Sequence, residues 1–138
     1  MRRQILAAAL VVVAAGPAAC AGDAVARTFS APADRLWTVT LAVLRQLGWD
    51  IDKADRDIGW ITTDSRKVDG EDYGVYAKGT RHRLRIIVKG VGSGKTTVSV
   101  ERMLFRRERI LFVDNDEPLP TTDHSVEQAI LAAIAKAL

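Results

Sequence analysis

Between Asp34 and Leu47 the apolar residues recur with a helical period. Leu36, Trp37, Val39, Thr40, Leu41, Val43, Leu44 and Leu47 fall within an arc of about 200° when each residue is turned by about 100°, and Asp34, Arg35, Thr38, Ala42, Arg45 and Gln46 fill the other side. An apolar arc this broad is better covered by a sheet than by a single helix. Ser30 is placed to cap the helix, Pro32 suits its first turn, and Gly48 ends it. A strand over Ala24 to Phe29 leads in. After the helix, Trp49 to Ala54, Asp55 to Gly59 and Trp60 to Lys67 read as strand, turn and strand.

The period then changes. Val68 to Gly79 (VDGEDYGVYAKG) shows none and reads as a long flexible connection. From Thr80 to Lys89 the alternation is strict, with His82, Leu84, Ile86 and Val88 on one side and Arg81, Arg83, Arg85, Ile87 and Lys89 on the other. Gly90 to Gly94 turns the chain, and Thr96, Val98, Val100, Arg102 and Leu104 carry the pattern back. The charged run Arg106 to Arg109 reads as a break, Ile110 to Val113 as a short further strand, and Asp114 to Pro120 as a loop. A closing helix starts at Thr122 or Asp123, with a stripe of Val126, Ile130, Ile134 and Leu138. These elements predict an α+β fold: a two-layer domain in which an antiparallel sheet of about four to five strands carries two helices on one face.

The first residues belong to a different category. Met1 to Ala19 has two arginines, an apolar run from Ile5 to Ala15 and a small-residue stretch before Cys20, which is the pattern of an export signal. The run is too short for a membrane span, which needs about 20 apolar residues. Cys20 is the single cysteine of the chain, and its place behind the small residues resembles the lipobox of bacterial lipoproteins, in which the thiol is acylated with a fatty acid such as palmitate. The alternative is an ordinary cleaved signal with an unused thiol. The expected organisation is a signal over 1–19, a short tether over 20–24 and one domain over 25–138. Arg2 and Arg3 leave with the signal, so 18 of the 20 basic residues remain against 17 acidic ones, a net charge of +1. That balance gives no argument for nucleic acid.

Several motifs suggest chemistry and fail on context. GVGSGKTT, Gly90 to Thr97, lacks the first glycine of a phosphate-binding loop and runs into a strand rather than a helix, so a hairpin turn is expected and no nucleotide. Asp114, Asp116 and Glu117 resemble part of a calcium loop, but Pro118 interrupts them. His82 and His124 are far apart and Cys20 is committed elsewhere, so neither a metal nor a cofactor is expected. No Ser, His and acid trio has a supporting motif, and the pairs Asp50 with Asp52 and Asp55 with Asp57 read as solvated. The candidate contact residues are Arg81, Arg83, Arg85 and Lys89, a basic ladder at intervals of about 7 Å. Tyr73 and Tyr76 join them, lying in the glycine-rich connection. Against the ladder stands a plain solvated strand face balanced by acids such as Glu101; against the tyrosines stands insertion of one of them into the core.

The stretch Phe29 to Thr63, with Trp37 in the helix, Gly48 and Trp49 at its end and the turn DRDIGWITT at Asp55 to Thr63, resembles the helix-grip domains of BamC-like (NlpB-type) outer-membrane lipoproteins. Those proteins accompany the machinery that inserts β-barrels. The resemblance implies a helix-grip-like fold, a location in the outer membrane facing the periplasm, and a link to outer-membrane protein assembly. The combined expectation is a non-enzymatic lipoprotein, held to the membrane by its N-terminal lipid, that binds another envelope protein. The alternative is a carrier or sensor that grips a small apolar ligand between helix and sheet.

Overall fold

A computed structural model describes residues 23–138. The expected signal, 1–19, and Cys20 lie outside the described residues. The order of elements is β1 (Val25–Phe29), α1 (Ala33–Gln46), β2 (Ile51–Asp55), β3 (Trp60–Thr63), β4 (Arg66–Lys67), β5 (Glu71–Asp72), β6 (Ala77–Gly92), β7 (Lys95–Ile110), β8 (Val113–Leu119) and α2 (Ser125–Ala137). All eight strands belong to one antiparallel sheet, ordered β1-β7-β6-β3-β2. Strand β8 also pairs with β7, while β4 and β5 pair with β6.

Everything hangs on β6 and β7, each 16 residues long. At about 3.3 Å per residue such a strand runs about 50 Å, well beyond the usual length. One half of this hairpin is the floor of the core. Leu84, Ile86 and Val88 of β6 and Val98 and Val100 of β7 share a face and are buried under Leu36, Trp37, Val43 and Leu44 of α1 and Ile130, Leu131 and Ile134 of α2. Phe29, Trp49 and Ile61 close the sides. The apolar arc of α1 is therefore the buried side of the helix, and Arg35, Arg45 and Gln46 are exposed. Pro32, not Ser30, takes the N-cap position, without a side-chain cap.

The other half of the hairpin projects as an arm. Of the residues from 65 to 81 and from 101 to 121, only Ala77 and Phe105 are buried hydrophobics, and neither joins the main core cluster. Here β8 lines β7 and the short β4 and β5 line β6, so the arm is four strands across. Cross-strand guanidinium–carboxylate pairs stand where a core would be. Arg107 donates to both oxygens of Asp116 at 2.8 and 3.0 Å, and Arg109 reaches Asp114 at 2.6 Å and Asp72 at 3.0 Å. The chain crosses itself where Gly70 meets Gly79: a Cβ at Gly70 would lie 2.2 Å from the Lys78 carbonyl oxygen, and one at Gly79 would lie 2.2 Å from that of Asp69.

The expectation of an α+β, helix-grip-like domain with a two-layer sheet of four to five strands is overturned. Over the described residues the protein is mostly sheet, with eight antiparallel strands in one sheet and two helices. The reason lies in the arm. Its strands bury few apolar side chains, so they need no apolar alternation, and segments without a period read as connections. The supposed flexible connection Val68 to Gly79 holds β5 and the start of β6, and the supposed loop Asp114 to Pro120 is most of β8. The supposed break Arg106 to Arg109 lies inside β7.

Candidate functional site

The helices cover one face of the sheet, and the other is open. Its central strip is set by register: Arg81 faces Phe105, Arg83 faces Met103, Arg85 faces Glu101, Ile87 faces Ser99 and Lys89 faces Thr97. On the next strand Trp60 stands beside Ile87 and Thr62 beside Arg85. The four basic residues expected as a ladder do share this face, but they are not equivalent. Arg85 makes a forked ion pair with Glu101, with nitrogen–oxygen distances of 3.0 and 3.2 Å. Arg81 donates to the hydroxyl and the carbonyl oxygen of Ser65, both at 2.9 Å.

Arg83 and Lys89 have no ion-pair partner among the described residues. The Arg83 guanidinium lies 5.7 Å from the ring centre of Phe105, which Arg107 approaches at 5.4 Å, so this aromatic ring is buried under cations. A shallow cleft opens on each side of Arg83. One, of about 260 Å³, is lined by Arg85, Glu101, Phe105, Asp116 and Pro118; the other, of about 240 Å³, is lined by Lys53, Trp60, Thr62 and Met103. Arg83 thus stands between two recesses, each with apolar and polar walls. Such a surface suits a protein side chain that brings both a carboxylate and apolar atoms.

Tyr73 and Tyr76 lie elsewhere, at the end of the arm, and both are exposed, at 71% and 51%. The Phe112 amide donates to the Val75 carbonyl at 3.1 Å, which fastens the tyrosine loop to the β7–β8 turn. Ile110, Leu111, Phe112 and Val113 at that turn are all exposed. The Tyr73 hydroxyl titrates above its ordinary range because Glu71 accepts its hydrogen bond and repels the phenolate. Four consecutive apolar residues between charged neighbours are the sequence signal for this tip, and their pattern alone predicts a short strand.

A third cluster is buried where arm and body meet. Glu127 of α2 is fully buried. Its Oε1 faces Arg102 Nε at 3.4 Å, and its Oε2 lies 2.5 Å from His124 Nδ1. Arg102 also reaches the Asp123 carbonyl and His82 Nδ1, both at 3.3 Å. His82 packs against Trp49, with 4.9 Å between ring centres. Burial first, and then the charges of Arg102 and Arg66, push the pKa of His82 down to about 4. This network lay out of reach of spacing, since residues 82, 102 and 127 meet only through the sheet.

Asp114 and Asp116 are occupied by Arg109 and Arg107, and among the described residues no cluster of three His, Cys, Asp or Glu could hold a metal ion. Among the described residues no helix is long and apolar enough to cross a membrane. Compared with known proteins, the chain matches no family model and no curated sequence.

Proposed function

We propose that this chain is a non-enzymatic lipoprotein of the outer membrane, anchored through Cys20 and facing the periplasm, whose open sheet face binds another envelope protein. The observation that carries the binding half is the strip around Arg83, whose guanidinium has no ion-pair partner among the described residues and stands between two recesses on a face that neither α1 nor α2 covers. The export pattern of Met1 to Ala19 and the position of Cys20 support the location. Leu36, Trp37, Leu44 and Ile86 fill the space between helix and sheet, which favours a protein partner over a small apolar ligand held there. A role beside the barrel-insertion machinery, as the BamC-like resemblance implies, is a narrower form of the same proposal.

The test reverses charge where no ion pair is broken. Arg83→Glu with Lys89→Glu should leave the melting temperature within a degree or two of wild type, since exposed charges contribute only about 0–1 kcal/mol each. It should weaken capture of the envelope partner that wild type retains, and raised salt should weaken wild type in the same way. Capture indifferent to both changes would sink the proposal. Arg85→Glu is a poor choice, because it would set two carboxylates against each other at Glu101.

A further inference from the structure

The apolar end of the arm is built against two ordinary preferences at once. In the β7–β8 hairpin the two residues between Ile110 and Val113 are Leu111 and Phe112, and both hold left-handed backbone, with φ of 49° and 66°. In the β6–β7 hairpin the same two places are filled by Ser93 and Gly94, with φ of 53° and 69°. Identical backbone demands are thus met once by small polar residues, as turn chemistry favours, and once by two large apolar ones. Leu111 and Phe112 are 64% and 75% exposed, so they are not there to fill a core.

Around this turn the charges are sorted. Ile110 to Val113 and Tyr73 to Ala77 are uncharged, and together they form a cap over the end of the sheet. Behind the cap comes a collar in which Arg109 is bound to Asp114 and Asp72, and Arg107 to Asp116. Aliphatic and phenyl side chains project at the tip, two tyrosines stand beside them, and neutralised charges lie behind. An apolar apex with tyrosines at its rim is the combination of side chains that enters the interfacial region of a bilayer.

The path of the chain adds a second, independent observation. Strand β1 is antiparallel to β7, with Phe29 opposite Thr96 and Val25 opposite Val100, so the residues before Val25 set out toward the tip. Five residues before Val25 the sequence reaches Cys20, the proposed point of lipid attachment. Asp23 and Ala24, the first described residues, thus lead out of β1 toward the end of the sheet that carries the apolar cap.

We infer that the β7–β8 tip, with Leu111 and Phe112 at its apex and Tyr73 and Tyr76 at its rim, dips into the surface of the phospholipid bilayer to which the N-terminus is tethered. The inference rests on the membrane attachment proposed above and adds a second point of contact, which fixes orientation. Because Arg107 and Arg109 are already paired with carboxylates, insertion depends on apolar burial and not on anionic lipid. The tip lies about 33 Å beyond the level of Val25, at ten residues of strand. Five residues of tether reach about 18 Å at most. With both points in one membrane, the long axis of the sheet lies within roughly 30° of the membrane plane, which follows from those two lengths. A lone lipid would leave the domain free to swing.

The experiment uses the mature chain purified from membranes and reconstituted into phosphatidylcholine vesicles; its acylated Cys20 takes no dye, which labelling of the parent chain without an added cysteine controls. An environment-sensitive fluorophore is attached at Val113→Cys at the tip or, as a control, at Ser93→Cys at the opposite end of the hairpin. Co-flotation with the vesicles should be accompanied by a blue shift at the tip and by quenching from lipid-borne nitroxide, with neither at the control position. Introducing Leu111→Asn with Phe112→Gly should abolish the shift while co-flotation and circular dichroism stay unchanged. Co-flotation with a tip label that remains in water would overturn the inference and leave the tether standing. Absence of co-flotation would remove the tether and the inference with it. A shift that needs added envelope proteins would overturn bilayer insertion in favour of protein docking.

Discussion

Removing the Glu127 carboxylate should be among the most damaging single changes to the described domain. Glu127 is fully buried with Arg102 and His124 as its partners, and Arg102 is itself nearly buried. A guanidinium cannot shed its proton, so Glu127→Ala leaves a charge in the interior with only His82 and the Asp123 carbonyl nearby. Breaking a buried pair from one side costs about 3–5 kcal/mol, against a total stability of about 5–15 kcal/mol for a domain. Arg102→Ala should cost less, because the stranded carboxyl can take up a proton and His124 remains beside it. Replacing both partners by apolar residues of similar volume, Arg102→Met with Glu127→Leu, should fall near wild type. Urea unfolding of the four proteins reads this directly: with a slope of roughly 1–3 kcal/mol per M, Glu127→Ala should lower the midpoint by at least about 1 M. If Glu127→Ala lies within about 1 kcal/mol of wild type, or if Arg102→Met with Glu127→Leu loses as much as Glu127→Ala, the two charges are not coupled in a dry site and the reasoning fails.

Leu44→Ala should cost about 2–5 kcal/mol and Arg45→Ala less than about 0.5 kcal/mol by the same measurement; equal losses would mean that α1 does not bury the face described. His82 has its pKa lowered to about 4 from 6.5, so the unfolded chain binds the proton first. Stability is then whole above pH 6.5 and declines as pH falls toward 4, and His82→Asn should flatten the part of that decline between pH 6.5 and 5, where few carboxylates titrate. Cys20→Ser should shift the protein from the membrane fraction to the soluble one and remove the mass of its lipid; retention after a salt wash would count against the anchor.

How much the sequence disclosed depended on whether a segment had to hide apolar surface. In α1, Leu36, Trp37, Val43 and Leu44 must leave water, so the arc of the helix could be read residue by residue. Leu84, Ile86 and Val88 likewise marked the inner face of β6, which placed Arg81, Arg83, Arg85 and Lys89 correctly on the other side. Alternation could not show that Arg85 would meet Glu101 while Arg83 met no acid, because that depends on the register of β6 against β7. Beyond His82 and Leu104 the signal disappears. Asp114, Asp116 and Glu117 looked like loop residues because loops and strands that bury few apolar side chains have the same composition, and only the opposed arginines of β7 make them a strand.

The arm also explains how an apolar cap can be held far from any core. A lone two-stranded hairpin of this kind would be marginal in water. Here β6 and β7 run unbroken from the core into the arm, so bending the arm would strain ladders whose other ends are locked under both helices. On one flank β8 adds seven residues in register and the Arg107 and Arg109 pairs; on the other, β4 and β5 pair with β6 on either side of the crossing at Gly70 and Gly79. Arg102 is the β7 residue at which core gives way to arm, and its ion pair with Glu127 of α2 holds the strand there. Loss of that clamp should therefore be felt at both ends: in the unfolding midpoint of the body, and in faster hydrogen exchange of the amides of β8, which have no core of their own to protect them.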